Sequence, residues 1–188
     1  MMTRFIRLFA VLLALLPGVF SMSASAAPAL DLENTIYLDL PAGRVVIQLR
    51  PDLAPHHVAR IKELARKSFY DGLSFHRVIP DFMAQTGDPR GDGTGGSGQK
   101  LKAEFSREPH LRGTVSMARA SNPDSGDSQF FICFAPASFL DGQYTVWGQV
   151  TSGMEFVDKI KAGSQANNGT VSDPTKILHM RVAADVKG

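Results

Sequence analysis

The sequence predicts a mainly β fold: a closed, eight-stranded antiparallel β-barrel whose ends are covered by two α-helices. Three observations carry this expectation. Short stretches of alternating apolar and polar residues recur along most of the chain, the pattern of strands with one buried face. Only two segments show the wider helical spacing. These helices do not alternate regularly with strands, so the β-α-β rhythm of a parallel sheet is missing.

The N-terminus stands apart from this pattern. Arg4 and Arg7 precede an apolar run at 8–20 (LFAVLLALLPGVF), then a small-residue stretch at 21–28 with Ala24-Ser25-Ala26 as a cleavage pattern. A membrane span needs roughly 20 apolar residues, whereas this run is shorter and is broken by Pro17-Gly18. Residues 1–26 are therefore expected to be a secretory signal peptide, exporting the protein and leaving 27–188 as a single domain. The cleavage site has no cysteine to take a lipid anchor.

The domain opens with alternation at 35–40, where Ile36, Leu38 and Leu40 share a face. Pro41-Ala42-Gly43 turns the chain, and Val45, Ile47 and Leu49 repeat the pattern as a hairpin. Pro55 suits the first turn of a helix, with Val58, Ile61, Leu64 and Ala65 as its apolar stripe and Lys62, Glu63, Arg66 and Lys67 outside. Residues 75–79 and 82–87 read as strands, followed by a glycine-rich loop at 88–102. Further strands are expected at 114–119, 129–134 and 145–150. Ser152-Gly153-Met154-Glu155 has the form of a capping box, opening a second helix with Val157 and Ile160 inside. Asn167-Asn168-Gly169 ends that region, and 176–186 reads as a last strand with Leu178, Met180 and Val182 on one face.

Composition narrows the functional classes. Removing 26 of 188 residues leaves 162, enough for one domain with a real core. The whole chain has 20 Lys and Arg against 18 Asp and Glu; without the two leader arginines the balance is 18 against 18. Nothing in that balance suggests nucleic acid, or a membrane once the signal is removed, as a partner. Cys133 is the only cysteine, so an internal disulfide is impossible, and its apolar neighbours mark it as a buried thiol.

Several motifs invite chemistry and fail. Gly91-x-Gly93-x-x-Gly96 and Gly93-x-Gly95-x-x-Gly98 lack the following helix that a dinucleotide fingerprint needs. His56 and His57 are adjacent and read as helix-surface residues, and the other histidines are isolated, so metal-ligand spacing is missing. Neither a cofactor nor a metal is expected. Arg90-Gly91-Asp92 and the formal sequon Asn168-Gly169-Thr170 read as loop and turn. That leaves Arg77, standing in an otherwise apolar run. An arginine rarely enters such a run unpartnered, so it either makes a structural ion pair or faces a ligand.

Residues 75–88 (FHRVIPDFMAQTGD) resemble the signature of the cyclophilins, the cyclosporin-binding class of peptidyl-prolyl cis-trans isomerases. Gly93-Thr94-Gly95-Gly96, the run Gly113-Thr114-Val115-Ser116-Met117-Ala118, Ser128-Gln129-Phe130-Phe131-Ile132 and Phe139-Leu140-Asp141-Gly142 match that family in order and spacing. The likeness spans essentially the whole domain and, with the leader, is nearest to the periplasmic bacterial cyclophilins. It implies an eight-stranded barrel with two helices and a substrate groove on its outer face. It implies Arg77 as the catalytic residue and a proline pocket of Phe82, Met83, Phe131 and Leu140, with Tyr144 at its edge. Gln85 and the backbone around Arg119 would bind substrate carbonyl and amide groups, with Ala118, Ala120 and Gln129 lining the groove. Partners would be proline-containing peptides and exported proteins in the course of folding. Without the resemblance, Phe82, Met83, Phe131 and Leu140 read as ordinary core.

The sequence also departs from the family pattern. Phe139 stands where many cyclophilins carry the tryptophan that contacts cyclosporin, Tyr144 replaces a common histidine, and Arg119 a common asparagine. Cyclosporin A is accordingly expected to bind only weakly. Two rival functions use the same features: a proline-peptide binding module or chaperone without turnover, and a small-ligand barrel of the lipocalin kind. Arg77 favours the enzyme over the first, since binding alone does not require it. Short strands and covering helices disfavour the second.

Overall fold

The computed structural model describes residues 31–187. The expected signal peptide and its cleavage pattern lie outside them. Eight strands form one antiparallel sheet: β1 (Thr35–Leu40), β2 (Gly43–Leu49), β3 (Arg77–Ile79), β4 (Met83–Thr86), β5 (Thr114–Met117), β6 (Phe130–Cys133), β7 (Val146–Ser152) and β8 (His179–Val182). Their spatial order is β3-β4-β6-β5-β7-β2-β1-β8. Helix α1 (Pro55–Arg66) packs on β8 and β7, and the short α2 (Met154–Val157) on β2. The expected barrel is therefore present, but β3 and β8 do not pair as strands. Their seam is spanned by the segments that precede them: Gly72 N donates to Ile177 O at 2.8 Å, and Phe75 N to Thr175 O at 2.9 Å.

The hairpin follows directly from its alternation. Ile36, Leu38, Leu40, Val45, Ile47 and Leu49 are all buried in the barrel core. Leu40 pairs with Gly43, so Pro41 and Ala42 alone make the turn. Gly43 is required there: a Cβ would lie 2.6 Å from the Phe156 ring, at a φ of +148°. Val58, Ile61, Leu64 and Ala65 of α1 are buried as their spacing predicts.

Three local readings are corrected. His57 is not on the helix surface; it is buried, because loop residue Glu104 reaches the start of α1. One Glu104 oxygen accepts from His56 N (3.1 Å) and lies 2.8 Å from His56 Nδ1; the other takes His57 N (3.0 Å) and His57 Nδ1 (2.6 Å). Ala54 offers no side-chain cap, so this carboxylate satisfies the orphaned amides and complements the helix dipole. The capping box at 152–155 does not form. Ser152 is held extended in the ladder opposite Val46, and Gly153, at φ +86°, makes the strand-to-helix turn instead. The last strand is shorter than 176–186, and Leu178 is exposed. Ile177 is buried in its place, because its backbone is engaged by Gly72 and Leu73 before pairing with β1 begins.

Glu104 sets an acid-stability prediction. Burial alone would raise its carboxyl, but hydrogen bonds from both imidazoles and both amides outweigh that and lower it from 4.5 to about 2. A carboxyl depressed in the fold stabilises fully above its unfolded value, and this is lost as pH falls towards the folded one. Burial also holds His57 below its ordinary range, so its protonation opposes folding in the same acid direction. Glu104→Gln should cost about 1–2 kcal/mol at neutral pH, after allowance for partial solvent screening. The gap to the unmodified protein should narrow as pH drops from 4.5 towards 2. Urea unfolding at neutral pH and near pH 3 checks this; a gap that stays constant would rule out the capping role.

Candidate active site

Strand alternation divides the side chains of β4 and β6 between two destinations. Ala84, Phe130 and Ile132 enter the barrel core. Met83, Phe131 and Cys133 point the other way and, with Ala137 and Leu140, form a second apolar cluster outside it. Phe82 lies in the turn between β3 and β4, where Asp81 takes a φ of +61°, and it joins that cluster at its edge with Ala118 and Tyr144. Cys133 lies beneath the surface, where burial pushes its thiol up to about 12.

Above this cluster is a cleft of about 420 Å³, lined by Arg77, Phe82, Met83, Gln85, Ala118, Arg119, Phe131, Phe139, Leu140, Gln143 and Tyr144. Met83, Phe131 and Leu140 make a buried floor. Phe139 stands at the rim, 64% exposed, its ring centroid 5.3 Å from that of Phe82. An adjoining cleft of about 370 Å³ shares Gln85, Ala118 and Arg119 and adds Ala120, Gln129, Thr94, Lys100 and Asp127. Of the residues expected at the site, Ala120 and Gln129 line only this second part.

Arg77 begins β3 directly opposite Gln85 on β4, so the two side chains share a face. Its Nη1 donates to Gln85 Oε1 at 3.1 Å. Its Nε donates to Asn168 O at 3.0 Å and its Nη2 to Asn168 Oδ1 at 2.9 Å. These partners are neutral, so the structural ion-pair alternative does not hold. Burial lowers its pKa from the ordinary arginine value, yet a guanidinium stays charged at any physiological pH. Nη1 also lies 4.0 Å from Met83 Sδ, and these partners do not use up the five donors of the fork on this cleft-lining residue.

A relay fixes the rest of the wall. Gln85 Nε2 donates to Gln129 Oε1 at 2.9 Å, and Gln129 Nε2 donates to the carbonyls of Gly93 (3.0 Å) and Gly95 (2.9 Å). The glycine loop itself folds around buried Asp88, which accepts from the amides of Arg90, Asp92 and Gly93. A Cβ at Gly95 would sit 2.0 Å from Asp88 Oδ1, so close packing on a carboxylate explains that glycine. Arg119 lies over the Tyr144 ring at 4.5 Å and donates to Gln143 O.

Asn168 and Gln143 were not among the expected site residues. Asn168 lies in the 167–169 stretch expected to end the second helical region, and Gln143 lies just after Asp141-Gly142, outside the expected strands. The one available signal was at Asn168, whose left-handed conformation (φ +56°) suits asparagine before glycine; nothing local connected it to Arg77. Among the described residues, no group of three or more His, Cys, Asp or Glu side chains is placed to hold a metal ion.

Comparison with known proteins gives a consistent result. A family model described as cyclophilin type peptidyl-prolyl cis-trans isomerase matches residues 35–182. The chain is 55% identical over 177 residues to a probable peptidyl-prolyl cis-trans isomerase of Brucella suis, covering 88% of this chain and 90% of that protein. A crystal structure of a cyclophilin from Hirschia baltica is similar with a TM-score of 0.74 at 26% identity, covering 84% of this chain and 76% of that one. A cyclophilin type isomerase from Cryptosporidium parvum, crystallised in the presence of the dipeptide Ala-Pro, is similar with a TM-score of 0.72 at 25% identity, covering 79% and 98%.

Proposed function

Because the chain belongs to the cyclophilin-type peptidyl-prolyl cis-trans isomerases, we propose that the cleft around Arg77 accelerates rotation about X–Pro bonds in exported proteins, assisting their folding in the periplasm. The barrier to this rotation is roughly 18–20 kcal/mol, because the C–N bond has partial double-bond character. A catalyst must hold the proline ring, grip one side of the bond and weaken the amide resonance. At the twisted transition state the prolyl nitrogen becomes pyramidal and regains its lone pair. A donor aimed at that nitrogen therefore bonds more strongly there than in the planar ground state, and only such a difference raises the rate.

The observation that carries this reading is the setting of Arg77. It is half-buried, without a carboxylate partner among the described residues, and held by Asn168 and Gln85 beside the apolar floor of Met83, Phe131 and Leu140. The floor would take the proline ring, with Phe82 and Tyr144 flanking it. One charge-assisted hydrogen bond contributes roughly 1.5–3 kcal/mol, about one to two decades in rate. Further acceleration comes from positioning and water exclusion. Gln85 keeps one amide N–H beyond its bond to Gln129, suited to a substrate carbonyl. The backbone at 118–120 would take the substrate's own amide and carbonyl groups, in the part of the groove bounded by Ala118, Ala120 and Gln129.

One preparation tests both halves of this proposal. Protein released from the periplasm should begin at Ala27, within a residue or two, by mass spectrometry. The same protein should speed conversion of a short X–Pro peptide in a protease-coupled assay. Full-length chain in the membrane fraction would overturn export, and an uncatalysed rate would overturn the activity.

A further inference from the structure

We propose that His110, which lies behind the cleft and outside its lining, is a positioning residue that sets the spacing of the proline-pocket walls. This rests on the reading of the cleft as a prolyl-peptide site. The His110 side chain is completely buried. Its ring stacks on Phe131, with centroids 6.2 Å apart and planes 18° from parallel. Asp141, next to Leu140, accepts from His110 N at 2.8 Å through the oxygen that lies 2.9 Å from His110 Nδ1. A carboxylate only accepts, so Nδ1 carries a hydrogen. His110 O in turn accepts from Ala137 N at 2.8 Å. The loop bearing Phe139 and Leu140 is thus clipped to one residue at both its ends.

The other ring nitrogen reaches the third wall. His110 Nε2 lies 3.1 Å from Ser116 Oγ, which is 2.9 Å from Thr145 O, the neighbour of Tyr144. Ser116 is also the cross-strand partner of Phe131. One imidazole therefore meets Phe131 directly, Leu140 through Asp141, and Tyr144 through Ser116 and Thr145. An apolar side chain would fill the same volume without the cost of burying a polar ring and would keep the main-chain bonds to Asp141 and Ala137, but it would lose the imidazole's own bond to Asp141 and its contact with Ser116. Nδ1 is bonded to Asp141, and Nε2 faces the Ser116 hydroxyl, whose one hydrogen is shared between Thr145 O and this ring. The ring therefore has one orientation, and the pocket inherits that rigidity. The hydrogen bonds from the His110 amide and imidazole also hold the Asp141 carboxyl below its usual range.

The test compares Asp141→Ala, Asp141→Asn and His110→Phe, with affinity for a short X–Pro peptide read by NMR titration well below each melting temperature, and turnover read separately. Asp141→Ala should weaken peptide binding about five- to tenfold, with a smaller change in kcat. Asp141→Asn keeps an oxygen acceptor in place and should restore affinity to within about twofold. His110→Phe keeps the main-chain bond to Asp141 and should weaken binding in the same direction by no more than Asp141→Ala. The two changes combined should be no worse than Asp141→Ala alone, since the imidazole's tie to the loop runs through Asp141. Folded variants that lose thermal stability but keep full peptide affinity would overturn the proposal, as would fully additive losses. An unmodified protein that binds the peptide without turning it over would sink the isomerase reading and leave the role of His110 standing. One that binds no prolyl peptide would sink both.

Discussion

Replacing Arg77 with alanine is expected to cut kcat/KM for an X–Pro peptide by at least tenfold while the protein stays folded. The expected loss is one charge-assisted hydrogen bond, roughly 1.5–3 kcal/mol, and it falls on kcat because that bond strengthens at the twisted transition state. The fold should tolerate the change. Arg77 is half-buried at the cleft, is bonded to Asn168 and Gln85, and leaves no buried charge unpaired when removed. Arg77→Lys should also be poor, since an ammonium lacks the planar fork that reaches Asn168 and the substrate together. Peptide affinity and a thermal melt of each variant, measured beside turnover, make the outcome decisive. Unchanged turnover would remove Arg77 from the chemistry; loss of cooperative unfolding would make it a structural residue.

Phe139→Trp is expected to tighten inhibition by cyclosporin A by about one to two decades. Phe139 sits at the rim of the cleft, largely exposed and tilted against Phe82, so a larger ring has open space to enter. The indole adds an N–H that phenylalanine cannot offer. On the unmodified protein, a drug acceptor buried against this rim would lack that partner, at a cost of roughly 1–3 kcal/mol. The inhibition constant of each protein, measured against the same peptide, decides it. Tight inhibition of the unmodified protein would show that Phe139 does not meet the drug.

Much of the architecture was legible because local periodicity is itself a consequence of burial. The hairpin of β1 and β2 and the inner stripe of α1 follow from apolar spacing alone, since each has one wet face. The second helix and the last strand were overextended for the opposite reason. Ser152-Gly153-Met154-Glu155 satisfies a capping pattern, but the β2 ladder claims Ser152 first. The seam with 72–73 claims Ile177 and shifts the alternation past Leu178.

By itself, the sequence determined the antiparallel class, the hairpin, the long helix and the motif that singles out Arg77. It also implied, by family likeness, which side chains gather around that arginine. Only the tertiary structure decided which face each residue serves. Phe130-Phe131-Ile132-Cys133 is apolar throughout and buried throughout, yet Phe130 and Ile132 fill the barrel while Phe131 floors the cleft. An uninterrupted apolar strand has no wet face to reveal its phase. The partners that fix the polar groups were equally hidden: Asn168 lies 91 residues from Arg77, and Glu104 lies 47 from His57. Side-chain hydrogen bonds depend on directions and distances set by the closed fold, and across such separations a chain pattern carries neither.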